Sequence, residues 1–166
     1  MGGGFLNAKA FLLTAGLAAL LLAGGCGSSD SKEVTVQAGS LSKAEFIEKA
    51  NTICKAARSE FVSKYESFFQ AHKSELGSKG QEEKLLSELL ETLLAPNVEG
   101  QIERISELGA PKDYAPEAAA FLNALQTRLE EAHDDPTGLT ATPFPFKKAE
   151  NVAAKAGLKG CAESFG

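Results

Sequence analysis

The chain has 166 residues, 43% of them hydrophobic, and sets 17 Lys and Arg against 22 Asp and Glu for a formal charge of −5. This length suits one domain with a core of its own. The acidic balance and the lack of a basic cluster argue against a nucleic-acid surface and against electrostatic attraction to anionic lipid.

The amino terminus and Lys9 precede an uncharged stretch from Ala10 to Ala23, which closes as Leu20-Leu21-Leu22-Ala23-Gly24-Gly25-Cys26. A basic start, a short apolar segment and small residues at the cut are what a secretory signal requires. A membrane-spanning helix needs about 18 or more apolar residues, and here glycines and Ser28-Ser29-Asp30 intervene sooner. The pattern predicts a lipoprotein signal peptide over residues 1–25, cleavage between Gly25 and Cys26, and a palmitate-type diacylglyceryl anchor on the Cys26 thiol. Two or more acyl chains hold a protein stably at a bilayer. The expected location is the outer face of the bacterial cell membrane. An outer membrane is the alternative, since residue 27 is Gly and not the Asp of an inner-membrane retention signal.

Removing residues 1–25 leaves 141, with 16 basic and 22 acidic residues and a formal charge of −6. With Cys26 assigned to lipid, Cys54 and Cys161 remain, and an oxidising location makes a disulfide between them the natural reading. Two buried free thiols are the alternative. A bridge would close a loop of 107 residues, and chain entropy values a loop of that order at about 4 to 5 kcal/mol.

Residues 26–40, rich in Gly, Ser, Asp, Lys, Gln and Thr, read as a flexible tether in which only Val34 and Val36 hint at strand. The helical domain then occupies 41–166. Ser42 and Glu45 form a capping box, with Leu41 able to pack on Phe46. From Phe46 through Ala50, Ile53, Cys54, Ala57, Phe61, Tyr65, Phe68 and Phe69, apolar residues recur every three or four positions, predicting a long first helix that stops near Gly77. Paired leucines from Leu85 to Leu94 form a second helix ending before Pro96, which either bends one helix or separates two. Val98, Ile102, Ile105 and Leu108 mark a third, stopped by Gly109 and Pro111. Pro116 suits the first turn of a fourth, carrying Ala118, Phe121, Leu122, Leu125 and Leu129 and ending between His133 and Pro136. A loop from Thr137 to Phe144 precedes a last short helix with Ala149, Val152, Ala153 and Ala156, capped by Gly157. None of these amphipathic faces is stable alone. The fold class is therefore all-α, an antiparallel helical bundle of four to five helices with a long first helix.

The segment from Glu45 to Cys54, the Leu108-Gly109-Ala110-Pro111 turn and the ending Ala156-Gly157-Leu158-Lys159-Gly160-Cys161 together resemble uncharacterised small lipoproteins of actinobacteria. Ala156 stands where an aromatic is common in that group. The resemblance covers most of the chain after Cys26 and implies an exported helical bundle with one disulfide. It implies no known activity.

Catalytic and metal chemistry are thinly represented. Glu130 and His133 share a helix face as in di-iron bundles, but such sites need a second motif and further inward carboxylates. His72 has no such carboxylate, only Phe69 three positions before it. Haem lacks a convincing axial ligand among His72, His133, Tyr65 and Tyr114. A strained Gly-x-Ser-x-Gly turn, a phosphate loop and a Cys-x-x-Cys pair are all missing from the sequence. No catalytic residue, metal or cofactor is expected. The aromatic set Phe61, Tyr65, Phe68, Phe69, Phe121, Phe144 and Phe146 packs the core on the simplest reading. Phe61, Tyr65, Phe68 and Phe121 are its best candidates for lining an apolar cavity. The sequence thus favours a non-enzymatic, lipid-anchored binding or interaction module of the cell envelope, attached to the membrane through the lipid on Cys26, with its protein partner or small apolar ligand left unidentified. A carrier or sensor of a small apolar ligand held within the bundle is the alternative, and an enzyme with an unrecognised site comes last.

Overall fold

The computed structural model describes residues 33–75, 77, 80–141 and 145–165. The signal peptide, its cleavage site, Cys26 and the first part of the expected tether lie outside the described residues. The first helix, α1 (Lys43–Ala71), opens with the expected capping box: the Glu45 N–H donates to Ser42 Oγ at 3.3 Å, and the Ser42 N–H donates to Glu45 Oε2 at 2.9 Å. The hydrogen bonds from Ser42 hold the Glu45 carboxyl below its ordinary pKa. The helix stops short of the expected Gly77. His72 closes the last turn on the Phe68 carbonyl, and Glu75 then turns back onto the His72 carbonyl. Gly77 and Gly80 follow at φ 80° and 85°, a left-handed backbone that suits glycine.

The leucine-rich segment begins as α2 (Glu82–Leu89), widens into a π-helical turn over Leu90–Leu94 and continues as α3 (Ala95–Ser106). In the widened turn the Ala95 N–H reaches five residues back to the Leu90 carbonyl. In a regular helix the Pro96 ring would press on the carbonyl of Thr92, four residues earlier, and offer it no hydrogen. The π turn absorbs that conflict. The path is therefore continuous through Pro96. After Gly109, at φ 68°, comes α4 (Ala115–Asp134), with Pro116 in its first turn. A 3-10 turn (Pro136–Thr140), α5 (Lys147–Lys155) and the single turn α6 (Lys159–Ala162) complete an all-α bundle; five α-helices among the described residues have eight or more residues.

The core centres on α4, whose Phe121, Leu122 and Leu125 are wholly buried between α3 and α5. The first half of α1 packs on α3 and α6 through Phe46, Ala50, Cys54 and Ala57. The expected disulfide joins Cys54 to Cys161, with Cα atoms 5.0 Å apart, and pins α6 to α1. Beside it the Gly160 N–H donates to Asn51 Oδ1 at 2.8 Å. A Cβ on Gly160 would lie 3.0 Å from the Asn51 Cβ, so close an approach that glycine fits best. Tyr114 is buried at the start of α4. Its ring meets Phe46 edge-on at 5.6 Å, Lys43 Nζ lies 4.5 Å from its centroid, and its hydroxyl donates to the Ala156 carbonyl at 2.6 Å.

The expectation of a flexible tether as far as residue 40 needs correction, because residues 34–39 are docked on the bundle. Asn123 on α4 accepts from the Val34 N–H and donates to the Val34 carbonyl, both at 2.8 Å. The Gly39 N–H donates to the Ala110 carbonyl at 2.8 Å, and the Ala110 N–H donates to Gln37 at 2.9 Å. Val36 buries its side chain against the core. This isolated parallel bridge is the only sheet-like pairing among the described residues. Gly39 and Gly109 cross so closely that a Cβ on Gly39 would meet the Gly109 carbonyl at 2.6 Å.

Candidate functional site

Burial along α1 is uneven. Its buried residues end at Ala57. Beyond that point Phe61 and Phe69 are half-buried, while Val62 and Tyr65 are the exposed large apolar residues, at 45% and 38%. The disulfide and α6 hold only the first half, so the second half projects beside α2 and leaves a cleft of about 320 Å³. Phe61, Val62, Tyr65 and Phe69 form one wall, and Phe146 and Phe165 stand on another. Leu89, just before the π turn, and Leu94, its last residue, contribute to the lining together with Asn97 and Gln101 of α3. At ~30 Å³ per water, the volume corresponds to about ten waters, near the lower end of small-molecule sites.

The aromatic rings are arranged in contact. Phe61 and Tyr65 have centroids 5.6 Å apart, Tyr65 and Phe69 are 4.5 Å apart, and Phe146 stacks on Phe165 at 4.8 Å with planes 13° from parallel. Such pairs hold ring orientation as well as burying area. The polar lining is sparse. Asn97 Nδ2 donates to the Ala57 carbonyl at 2.9 Å, which ties α3 to α1 where α1 emerges from the core. Arg58 donates to the Glu163 carbonyl, and the Ser164 hydroxyl donates to Gly160. No histidine or carboxylate is among the described residues that line the cleft. The described lining therefore offers apolar contact with a few oriented amides and hydroxyls and the Arg58 guanidinium.

The four sequence candidates are divided by the structure. Phe61 and Tyr65 line the cleft. Phe68 lies in a neighbouring groove with Leu85 and Gly80, its ring 4.4 Å from His72. Phe121 does not line the cleft; it faces the closed centre of the bundle and is wholly buried. The correction follows from geometry: α4 is enclosed on both sides, while only the projecting half of α1 has a free apolar face. Phe146 joins the cleft, and Phe144 lies outside the described residues. Phe165 and Gln101 were not among the sequence candidates. Gln101 falls three residues after Val98 and four before Ile105, on the apolar stripe of α3, so a polar residue on a core face was a readable signal.

The remaining candidate chemistry disperses. Glu130 accepts from Gln126, and His133 Nδ1 lies 3.1 Å from Glu91 across to the π turn. His72 sits between Glu75 at 3.2 Å and Glu88 at 3.4 Å. No group of three or more His, Cys, Asp or Glu among the described residues converges as a metal site. No helix among them is long and apolar enough to cross a membrane. In comparison with known proteins, no family model, curated protein or solved structure matches the chain.

Proposed function

We propose that this is an exported protein, held by lipid on Cys26 at the outer face of the bacterial cell membrane, whose helical domain binds a small apolar molecule in the aromatic cleft. The observation that carries the binding reading is the contrast between a closed core and the recess of about 320 Å³ walled by Phe61, Tyr65, Phe69, Phe146 and Phe165. Removing apolar surface from water contributes about 25 cal/mol per Å², and an apolar guest gains this where the bundle leaves it ungained. The cleft chemistry favours a carrier or sensor over an enzyme, since among the described residues that line it no base stands beside a nucleophile. The anchor rests on the residues that close the signal and on the likeness to small actinobacterial lipoproteins.

Two experiments test the two halves. Native mass spectrometry of the processed protein, purified gently from its host, should show a retained small molecule that is lost when Leu86, which also lines the cleft, is replaced by Trp (Leu86→Trp) to fill it. Bare protein in repeated preparations, together with no change in uptake of an apolar dye in that variant, would refute the ligand reading. The exposed Val62 and Tyr65 at the rim favour docking of an apolar protein segment as a second reading, and copurification of a protein lost in the same variant would select it. Cys26→Ser should abolish lipid labelling and release the protein from the membrane; labelling that persists would refute the anchor.

A further inference from the structure

The amides at the base of the cleft fix one another's orientation. Asn97 can donate to the Ala57 carbonyl only through Nδ2, at 2.9 Å. Its Oδ1 therefore turns toward Gln101 and accepts from Gln101 Nε2, also at 2.9 Å. A backbone carbonyl thus decides which way both side chains face. What this leaves over is Gln101 Oε1, an acceptor on a residue 1% exposed, with no hydrogen-bond partner. Among the described residues, three buried side-chain polar atoms stand in this position, the others being Gln81 Oε1 and Arg128 Nε. Of the three, only Gln101 belongs to a residue lining the aromatic cleft.

An unpaired acceptor buried at an apolar site gives a guest that brings a donor an advantage over a purely hydrocarbon one. We infer that the cleft selects a largely aromatic or aliphatic molecule carrying a hydroxyl or N–H, whose hydrogen is accepted by Gln101 Oε1. This rests on the apolar-ligand reading and narrows it to a chemical class. Phe61, Tyr65 and Phe146 supply the contact area and Gln101 the discrimination. An ether of the same shape fills the same volume but cannot donate.

The test compares 2-naphthol, 2-methoxynaphthalene and naphthalene as probes on the processed protein in detergent, with Gln101→Met as the variant. Partition of each probe into detergent is common to both proteins, so the ratio of naphthol to methoxynaphthalene affinity in one, divided by that in the other, isolates residue 101. The expected result is a preference for naphthol about tenfold greater in the wild type, with naphthalene binding similar in both. In the wild type alone, naphthol should shift the Gln101 side-chain amide resonances well beyond the ring-current shift that its methyl ether also produces. That readout stands even if the variant fails to fold. Equal ratios, or equal resonance shifts with both probes, would mean that solvent serves the oxygen. Either would overturn the inference while leaving apolar binding intact. Absence of saturable binding by every probe would remove the ligand reading as well.

Discussion

Replacing Tyr114 by Phe removes one buried hydroxyl and provides a test of the packing argument that also reads out pH. The hydroxyl donates to the Ala156 carbonyl at 2.6 Å, joining the start of α4 to the end of α5. Loss of a buried hydrogen bond that leaves its carbonyl behind costs about 1 to 3 kcal/mol, so a loss of about 2 kcal/mol is expected at pH 7. Burial, with the charge of Glu117 adding to it, pushes the phenol from 10.0 up to about 12. A folded-state value above the unfolded one means that the neutral phenol stabilises the fold fully below pH 10, and that this contribution is lost as pH rises toward 12. Linkage puts that loss at about 1.4 kcal/mol by pH 11. Urea unfolding of both proteins at pH 7, 9, 10 and 11 gives the difference directly, with other titrating groups common to both. The wild-type advantage should shrink from about 2 kcal/mol to well under 1 kcal/mol on the linkage above. An advantage unchanged between pH 7 and pH 11 would refute the account of a desolvated, hydrogen-bonded Tyr114.

Replacing both Cys54 and Cys161 by Ala should lower stability by about 4 kcal/mol, the order expected for a loop of 107 residues. Calorimetry checks it, and two reactive thiols in the native wild-type protein under non-reducing conditions would contradict the bridge. Gly109→Ala meets both a φ of 68° and a Gly39 Cα that would lie 2.9 Å from the new Cβ, so a loss of at least ~1 to 2 kcal/mol is expected. A melting temperature equal to wild type would count against the close crossing. Asn123→Ala removes both hydrogen bonds to Val34 and should free the docked segment at a cost of about 1 to 3 kcal/mol. Limited proteolysis should then cut N-terminal to Leu41 faster, and an unchanged cleavage rate would argue that Val36 alone holds it.

Helix positions were legible because each carries a local signal. Ser42 and Glu45 announce the start of α1, Gly109 and Pro111 separate α3 from α4, and Pro116 falls in the first turn of α4. The pairing of Cys54 with Cys161 followed from counting once Cys26 was set aside for lipid. The features that escaped depend on distant partners. Residues 34–39 look like tether because Val34 and Val36 are few among polar neighbours, while the groups that hold them, Asn123 and Ala110, lie more than seventy residues away. A continuous path through Pro96 was hard to foresee because a single widened turn has no composition of its own. Phe61 and Phe121 occupy apolar faces with the same helical spacing, yet one lines a cleft and the other a core. The difference arises where α1 outruns the elements that cover it, a matter of helix length and packing beyond any local pattern.

The uneven anchoring of α1 has a mechanical side. From Arg58 to Ala71 the helix extends about 20 Å at 1.5 Å per residue, fixed at its root by the Cys54 bridge and the Asn97 bond and touched near its tip by the His72–Glu88 contact. Its geometry is that of a lever arm rooted at the core boundary. Tyr65 sits about 12 Å out along it, so a tilt of about 5° displaces that ring by about 1 Å while the buried residues before Ala57 stay in register. If the proposed ligand reading holds, guests of slightly different girth would be met by a swing of this wall, with the folded centre carrying none of the adjustment.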